Sequence, residues 1–487
     1  MPVTDRDPVA VAPGRRRRGT STLEKLVILH FSTLLVFTTW AFGGQAPWAR
    51  QVIATLGGVG ILLFVISCAP QNRSAGGLIV HAWRFLWPLW LFDLMVVVSC
   101  FNPGFREVVI GGEPSLVMGN PAAWLPTAAR PGLAARELWQ FNALVLTSFN
   151  LYLVLHNRRL VRVVLFVVGL NAAVLAIFGT FQKLVHAKGL WFGLVVSPNP
   201  KFFATFVYHN HWGAFTLLNT AVCLGLLFHF MRRGGQRDIW HSPVLLGALV
   251  TLLLAATVPL SASRSSTALI CVLLGGAFVH LVTRLIRRRH ELHESALVPV
   301  ASILLAALLA VGAIAYLSRD VIAQRALLTS SQLASIAKED TLNSRLALYR
   351  DTWRMAAEKP WFGWGLESYA TVFRVFNTQR AVELWIWITY YSEAHNDWLQ
   401  SLAEVGFVGT SLLGLLLLLP LRSVSWRSVD SVLPRYLLAG GALVLLYAWV
   451  EFPFANPAVM LTFCATFYCA IRYAALDLRA QQEENIR

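Results

Sequence analysis

Long apolar runs separated by short polar turns recur along almost the whole chain, at about 26–43, 51–69, 80–100, 138–157, 160–182, 207–230, 243–260, 267–286, 296–317, 397–420, 435–453 and 456–474. A hydrocarbon layer about 30 Å thick needs roughly 20 apolar residues per helix. The pattern therefore predicts an all-α, polytopic membrane bundle of about twelve transmembrane helices, with both chain ends on one side. The first run is long, aromatic and followed by no small-residue cleavage site, so it is read as a span and not as a removable leader. No internal repeat with a period of 20 to 50 residues is visible.

The interval from 318 to 394 breaks the pattern. Loops beyond about 15 residues are uncommon unless functional or disordered. This one carries Tyr349, Trp353, Trp361, Phe362, Trp364, Tyr369, Phe373, Phe376, Trp385, Trp387, Tyr390 and Tyr391, enough apolar surface to fold and dock. Within it LNSRLALYRDTWRMAAEKP has the spacing of an amphipathic helix ended by Pro360, with Arg345, Tyr349 and Trp353 at four-residue intervals on one face. WFGWGLESY then reads as a Gly-punctuated turn leading back to the membrane. The expected organisation is a disordered cytoplasmic tail over 1–24, nine helices over 25–317, a large helical outer loop over 318–394, three helices over 395–475 and a second cytoplasmic tail over 476–487.

Composition strengthens the membrane reading, because 56% of the residues are hydrophobic and only 14% charged, against about 25% charged in soluble proteins. The net charge of +16 does not indicate nucleic acid, since the arginines form no basic stripe. They cluster instead in alternate short loops: Arg15 to Arg18; Arg73; Arg158, Arg159 and Arg162; Arg232, Arg233 and Arg237; Arg284 and Arg287 to Arg289; Arg422, Arg427 and Arg435; Arg472 and Arg479. The positive-inside rule makes that side the cytoplasm. The opposite side receives 101–137, 183–206, the turn around Arg264 and the 318–394 loop. Six cysteines, Cys68, Cys100, Cys223, Cys271, Cys464 and Cys469, all fall in or beside apolar runs. They are read as small lipid- or core-facing residues, not as a disulfide or zinc framework.

The candidate chemistry gathers on the non-cytoplasmic side. Arg264 stands in SASRSS between two apolar runs. A guanidinium cannot shed its charge, so it either snorkels to water or holds an anion such as phosphate, helped by Ser261, Ser263, Ser265, Ser266 and a helix N-terminus. His395, with Asn396, precedes an apolar helix; it suits a general base or a polar anchor. Arg345, Arg350, Arg354 and Arg374 occur among aromatics, a composition suited to phosphate oxygens and sugar faces, with Arg350 and Arg354 the bystanders. His209, Asn210 and His211 open another apolar run and either line the same cavity or anchor the helix. Asp93 is a buried carboxylate that pairs with Arg84 or with a neighbouring helix.

Three segments resemble the O-antigen ligase and polymerase superfamily. HNDWLQSLAEVGFVGT follows the pattern H-(N/S/Q)-x9-G-x-x-G-T, with His395, Asn396, Gly406, Gly409 and Thr410 in register. SASRSSTAL resembles a short S-x-S-R turn, and the stretch from Arg345 to Gly365 resembles R-x7-W-x6-P-x2-G-x-G. YHNHWGAF departs from the N-P-N-like turn usual in the family. The resemblance implies a glycosyltransferase of the bacterial cytoplasmic (inner) membrane, multi-pass, with its active site facing the periplasm. It would move a glycan from an undecaprenyl-diphosphate carrier to a hydroxyl of a lipid A-core or other glycan acceptor, with inversion. No cofactor is implied: no nucleotide sugar and, for the ligases, no metal.

Carried onto this chain, the resemblance makes Arg264 and Arg345 the partners of the diphosphate and His395 the base. Asn396, Ser263, Ser265, Tyr349, Trp353, His209, Asn210 and His211 are the expected substrate-binding residues. Ligase-type transfer is the preferred reading, with an O-antigen or exopolysaccharide polymerase beside it. A lipid or glycan transporter shares the hydropathy, but transporters commonly have repeated halves and broken helices near the midplane, whereas here the polar residues gather at one face.

Overall fold

The computed structural model describes residues 20–69, 75–110, 113–233, 243–317, 319, 341–378 and 391–485. The expectations for the N-terminal tail, Arg73, Arg237, Trp385, Trp387 and Tyr390 fall outside these residues.

Each apolar run is met by a helix: α1 Thr22–Trp40, α2 Pro47–Cys68, α3 Ala75–Cys100, α4 Pro131–Val154, α5 Arg158–Leu184, α6 His209–Arg233, α7 Pro243–Leu260, α8 Arg264–Glu291 and α9 Leu297–Leu317. After the outer segment come α12 Asp397–Arg422, α13 Val432–Tyr447 and α14 Pro457–Asn485. Among the described residues nine helices are long and apolar enough to cross a membrane, and Leu297–Ala313 and Val432–Tyr447 are shorter apolar helices. The protein is an all-α, multi-pass membrane bundle. The helices start where local chemistry satisfies their free N–H groups: Ser21 and Glu24 form a capping box on α1, Pro47 opens α2, and Asn157 caps α5.

The core is built around α6, whose Trp212, Phe215, Leu217 and Val222 are buried. α13 and α7 pack against α6, and α2 and α14 against α4. At the periphery Leu305, Leu308 and Leu309 of α9 are more than half exposed, as expected of a helix solvated by lipid. At the arginine-rich end Arg158 pairs with Asp477, and the Arg472 guanidinium donates to the Leu155 carbonyl. Asp93 accepts from Asn142 of α4 at 2.8 Å, so its partner is the neighbouring helix and not Arg84. All six cysteines are free, with Cys271 exposed and the others buried or half-buried.

The opposite end carries the outer segment, which folds as α10 Thr341–Glu358 and α11 Tyr369–Phe376. Leu348, Met355, Trp364, Tyr369 and Phe373 form a small hydrophobic cluster of their own. A hydrogen bond of 2.8 Å links the Thr352 and Tyr369 hydroxyls, and the Trp364 indole donates to the Met355 carbonyl at 2.9 Å. Arg350 and Arg354 stand 3.6 and 3.7 Å from Asp351.

Two features differ from expectation. Residues 105–118 form an antiparallel hairpin, β1 Phe105–Ile110 and β2 Glu113–Met118; the alternation is too short and too interrupted by polar residues and Pro114 to register as strands. α13 ends at Tyr447, six residues before the apolar run does, because Glu451 and Pro453 end the spiral.

Candidate functional site

α12 is broken near its outer end. Gly406 has φ 65° and ψ −172°, a conformation that glycine reaches without steric cost. A break inside a helix strands backbone donors and acceptors, which must find partners elsewhere. Here the strip 360–365 supplies them. Phe407 N–H donates to Pro360 O at 2.8 Å and Val408 N–H to Trp361 O at 3.1 Å, while Trp364 N–H donates to Ala403 O at 3.0 Å and Gly365 N–H to Glu404 O at 2.7 Å. The glycine-rich strip is thus not a simple turn back to the membrane. It is a clasp laid across the break, which fixes the outer segment to α12. Contact is close enough that a Cβ on Gly363 would lie 2.4 Å from the Glu404 carbonyl, and one on Gly406 2.4 Å from that of Trp361.

The clasp sets the position of His395, which sits in the left-handed region at φ 51° just before α12. Asn396 caps the helix, its side chain accepting from Leu399 N–H at 3.0 Å. Asp397 N–H donates to Ala448 O at 2.9 Å, and the Asp397 carboxylate accepts from Phe454 N–H at 3.0 Å. These bonds knit the start of α12 to the turn between α13 and α14. The Tyr349 hydroxyl, from α10, donates to the His395 carbonyl at 3.0 Å.

At the centre stands Glu451, in that turn and only 4% exposed. Its carboxylate meets His395 Nδ1 at 3.4 Å, Arg345 at 3.3 Å and the Tyr208 hydroxyl at 3.3 Å. Burial pushes its carboxyl up, but the hydrogen bond and charge of His395 and the charge of Arg345 outweigh that and hold it below the usual carboxylate range. Burial and the Glu451 charge raise the Tyr208 hydroxyl, which stays protonated and donates. Phe452 is the apolar floor, with the ring of His395 edge-on at 4.7 Å, that of His211 at 5.0 Å, and Tyr208 stacked at 5.2 Å.

The remaining expected residues join this centre unevenly. Asn210 donates to the Tyr208 hydroxyl at 2.8 Å, and a ring nitrogen of His211 lies 3.2 Å from Phe452 O. The ring of His209 packs beside Tyr208 at 4.9 Å. Arg264 heads α8, exposed. Its neighbour Ser263 contacts the Tyr447 hydroxyl at 3.5 Å, and that hydroxyl donates to Asn210 O at 3.4 Å, so the α8 terminus is linked to the Glu451 cluster. Ser265 is half-buried beside it. Trp353 is 52% exposed, one turn beyond Tyr349 on α10, and makes no hydrogen bond with the cluster among the described residues.

The arrangement is a buried carboxylate flanked by one imidazole, one guanidinium and one phenol. It can fix an imidazole tautomer through Nδ1 and leave Nε2 for a proton, with a half-exposed guanidinium beside it that still has donors to offer an anion. Glu451, Tyr208 and Tyr447 were not singled out from sequence. The one available signal was an acidic residue in the apolar turn WVEFPF on the same side as His395. Residues 249–414, from α7 through the outer segment to just past the break in α12, match the O-antigen ligase family. No curated protein matches the chain.

Proposed function

We propose that the chain, which matches the O-antigen ligase family over residues 249–414, is a ligase-type glycosyltransferase working on a glycan carried by undecaprenyl diphosphate at the periplasmic face of the inner membrane. The single observation that carries this reading is the Glu451 carboxylate held between His395 Nδ1 and Arg345. Glu451 keeps the proton on Nδ1, and Nε2 of His395 takes the proton of the acceptor hydroxyl. The acceptor oxygen then forms a bond to the anomeric carbon from the face opposite the diphosphate. The bond to the diphosphate breaks, its electron pair stays on the phosphate oxygen, and the configuration inverts.

Arg345 and Arg264 neutralise the departing diphosphate. Arg345 is suited to this because it spends two nitrogens on Glu451 and Val450 O while its side chain stays 49% exposed, leaving donors for phosphate oxygens. The α8 N-terminus adds its own partial positive charge next to Arg264. Asn210 and His211, both buried, serve by holding Tyr208 and Phe452 in the cluster, and Asn396 by fixing the helix that carries His395.

The positive-inside pattern of the arginine clusters supports a periplasmic position for this end of the bundle. Polymerase chemistry uses the same groups and differs in the acceptor hydroxyl. The test is His395→Ala, purified and reconstituted with a lipid-diphosphate glycan donor: the variant inserts and folds, and transfer falls by about 10²–10⁴-fold, the range for loss of a general base. Full transfer by that variant removes His395 from the mechanism.

A further inference from the structure

A cavity of ≈ 280 Å3 shares the start of α12 with the Glu451 cluster. Its two ends differ in chemistry. Glu137, Glu367, Glu393 and Glu404 line the outer end, while Leu413 and Leu417 of α12 face Met460 and Phe463 of α14 along the inner end. α12 packs on α3 and α10, and the cavity fills the space between it and α14. A polar head joined to an apolar trough is the shape of an amphiphile. The volume lies at the small end of ligand cavities, which run about 300–1,000 Å3, so it suits one hydrocarbon chain and not a multi-chain lipid.

The head end favours hydroxyl donors and disfavours phosphate. Glu404 is already engaged by the backbone N–H groups of Glu367 and Tyr369 at 3.2 and 3.0 Å. Arg50, the cation lining the cavity, is bound to Glu137 at 3.2 Å. Glu393 has one oxygen on Gln400 at 2.7 Å; its second oxygen, like that of Glu137, makes no hydrogen bond among the described residues. A carboxyl oxygen accepts whether or not its group is ionised, so the open oxygens suit donors such as vicinal sugar hydroxyls. A diphosphate, which only accepts, would meet carboxyl oxygens and a guanidinium already bound to Glu137 here, whereas Arg345 and Arg264 offer it the opposite sign.

We propose that this cavity seats the acceptor, and that it takes a neutral, single-chain glycolipid, with sugar hydroxyls on the Glu137, Glu367 and Glu393 carboxylates and the chain between α12 and α14. The proposal deepens the transferase reading and rests on it for the word acceptor. Asp397, two residues after His395, lines the cavity, so a head group held there stands next to the segment that carries the base.

The experiment uses the full chain in nanodiscs with two probes that carry the same tail diazirine: an alkyl maltoside and a prenyl diphosphate. On irradiation the maltoside labels peptides containing Leu417 and Met460, and labelling falls at least fivefold in Leu417→Trp, which fills the trough. Glu367→Gln, which leaves the packing in place, lowers it by a smaller factor. Stronger labelling of those peptides by the diphosphate overturns the proposal, as does labelling that neither substitution changes. His395→Ala separates the two readings: it stops transfer and leaves maltoside labelling intact. Labelling without any transfer by the natural chain sinks the transferase alone, and transfer without labelling sinks the acceptor seat alone.

Discussion

A buried carboxylate is stable only when charge and hydrogen bonds replace the water it has lost. Glu451 gains both from His395, Arg345 and Tyr208, and its carboxyl ends below the ordinary range, so it carries its charge at neutral pH. In the proposed transfer, neutralising it removes the group that would fix the His395 tautomer and face the imidazolium. Glu451→Gln is expected to lower kcat by about 10²-fold or more with KM little changed, and Glu451→Asp to recover part of the loss; steady-state transfer by the reconstituted variants gives both numbers, and an unchanged kcat would leave Glu451 a purely structural acid. His395, Arg264 and Arg345 were legible because each sits in a spaced pattern with its glycines or serines. Glu451 was not, since its partners come from residues 208, 345 and 395, and no local spacing encodes a meeting of segments so far apart.

Among the elements, the broken helix and its clasp explain why small residues recur at 363, 365 and 406. Left-handed backbone costs other residues about 1–2 kcal/mol, and at 363 and 406 the added Cβ also meets main-chain atoms that cannot rotate away. Gly406→Ala and Gly363→Ala should therefore reduce the yield of folded protein and its survival of a heat challenge in fluorescence-detected size-exclusion chromatography. Gly414→Ala, on the same helix with open space at its Cβ, serves as the neutral comparison; equal behaviour of all three would discredit the clasp. The sequence shows these glycines as turn markers. Their backbone pairing stays hidden because the two strips lie some forty residues apart, and the same is true of Asn396, which resembles a ligand-binding residue and caps a helix.

Over the described residues, each apolar run of the sequence meets a helix, because twenty apolar residues have one use in a bilayer. Hydropathy misjudged only ends, as at Tyr447, and the hairpin at 105–118. Charge is partitioned too, with the short-loop arginine clusters at one end and the carboxyl groups of the Glu137–Glu393 cavity at the other. Among those, burial raises Glu393 to about 7. The folded chain then holds a proton that the unfolded chain has released between the ordinary value near 4.5 and 7, so this group favours folding increasingly as pH falls through 7 and equally at all pH below 4.5. Glu393→Gln should raise Tm at about pH 8 while changing it little near pH 4.5, and a pH-independent effect in thermal melts would contradict that assignment. The clasp has a last consequence for connectivity. Since residues 360–365 grip α12 through their main chains, the covalent link between Thr378 and Tyr391 is not what keeps Arg345 beside His395. Two separately expressed pieces, ending at 378 and resuming at 391, should find each other in one bilayer and co-purify.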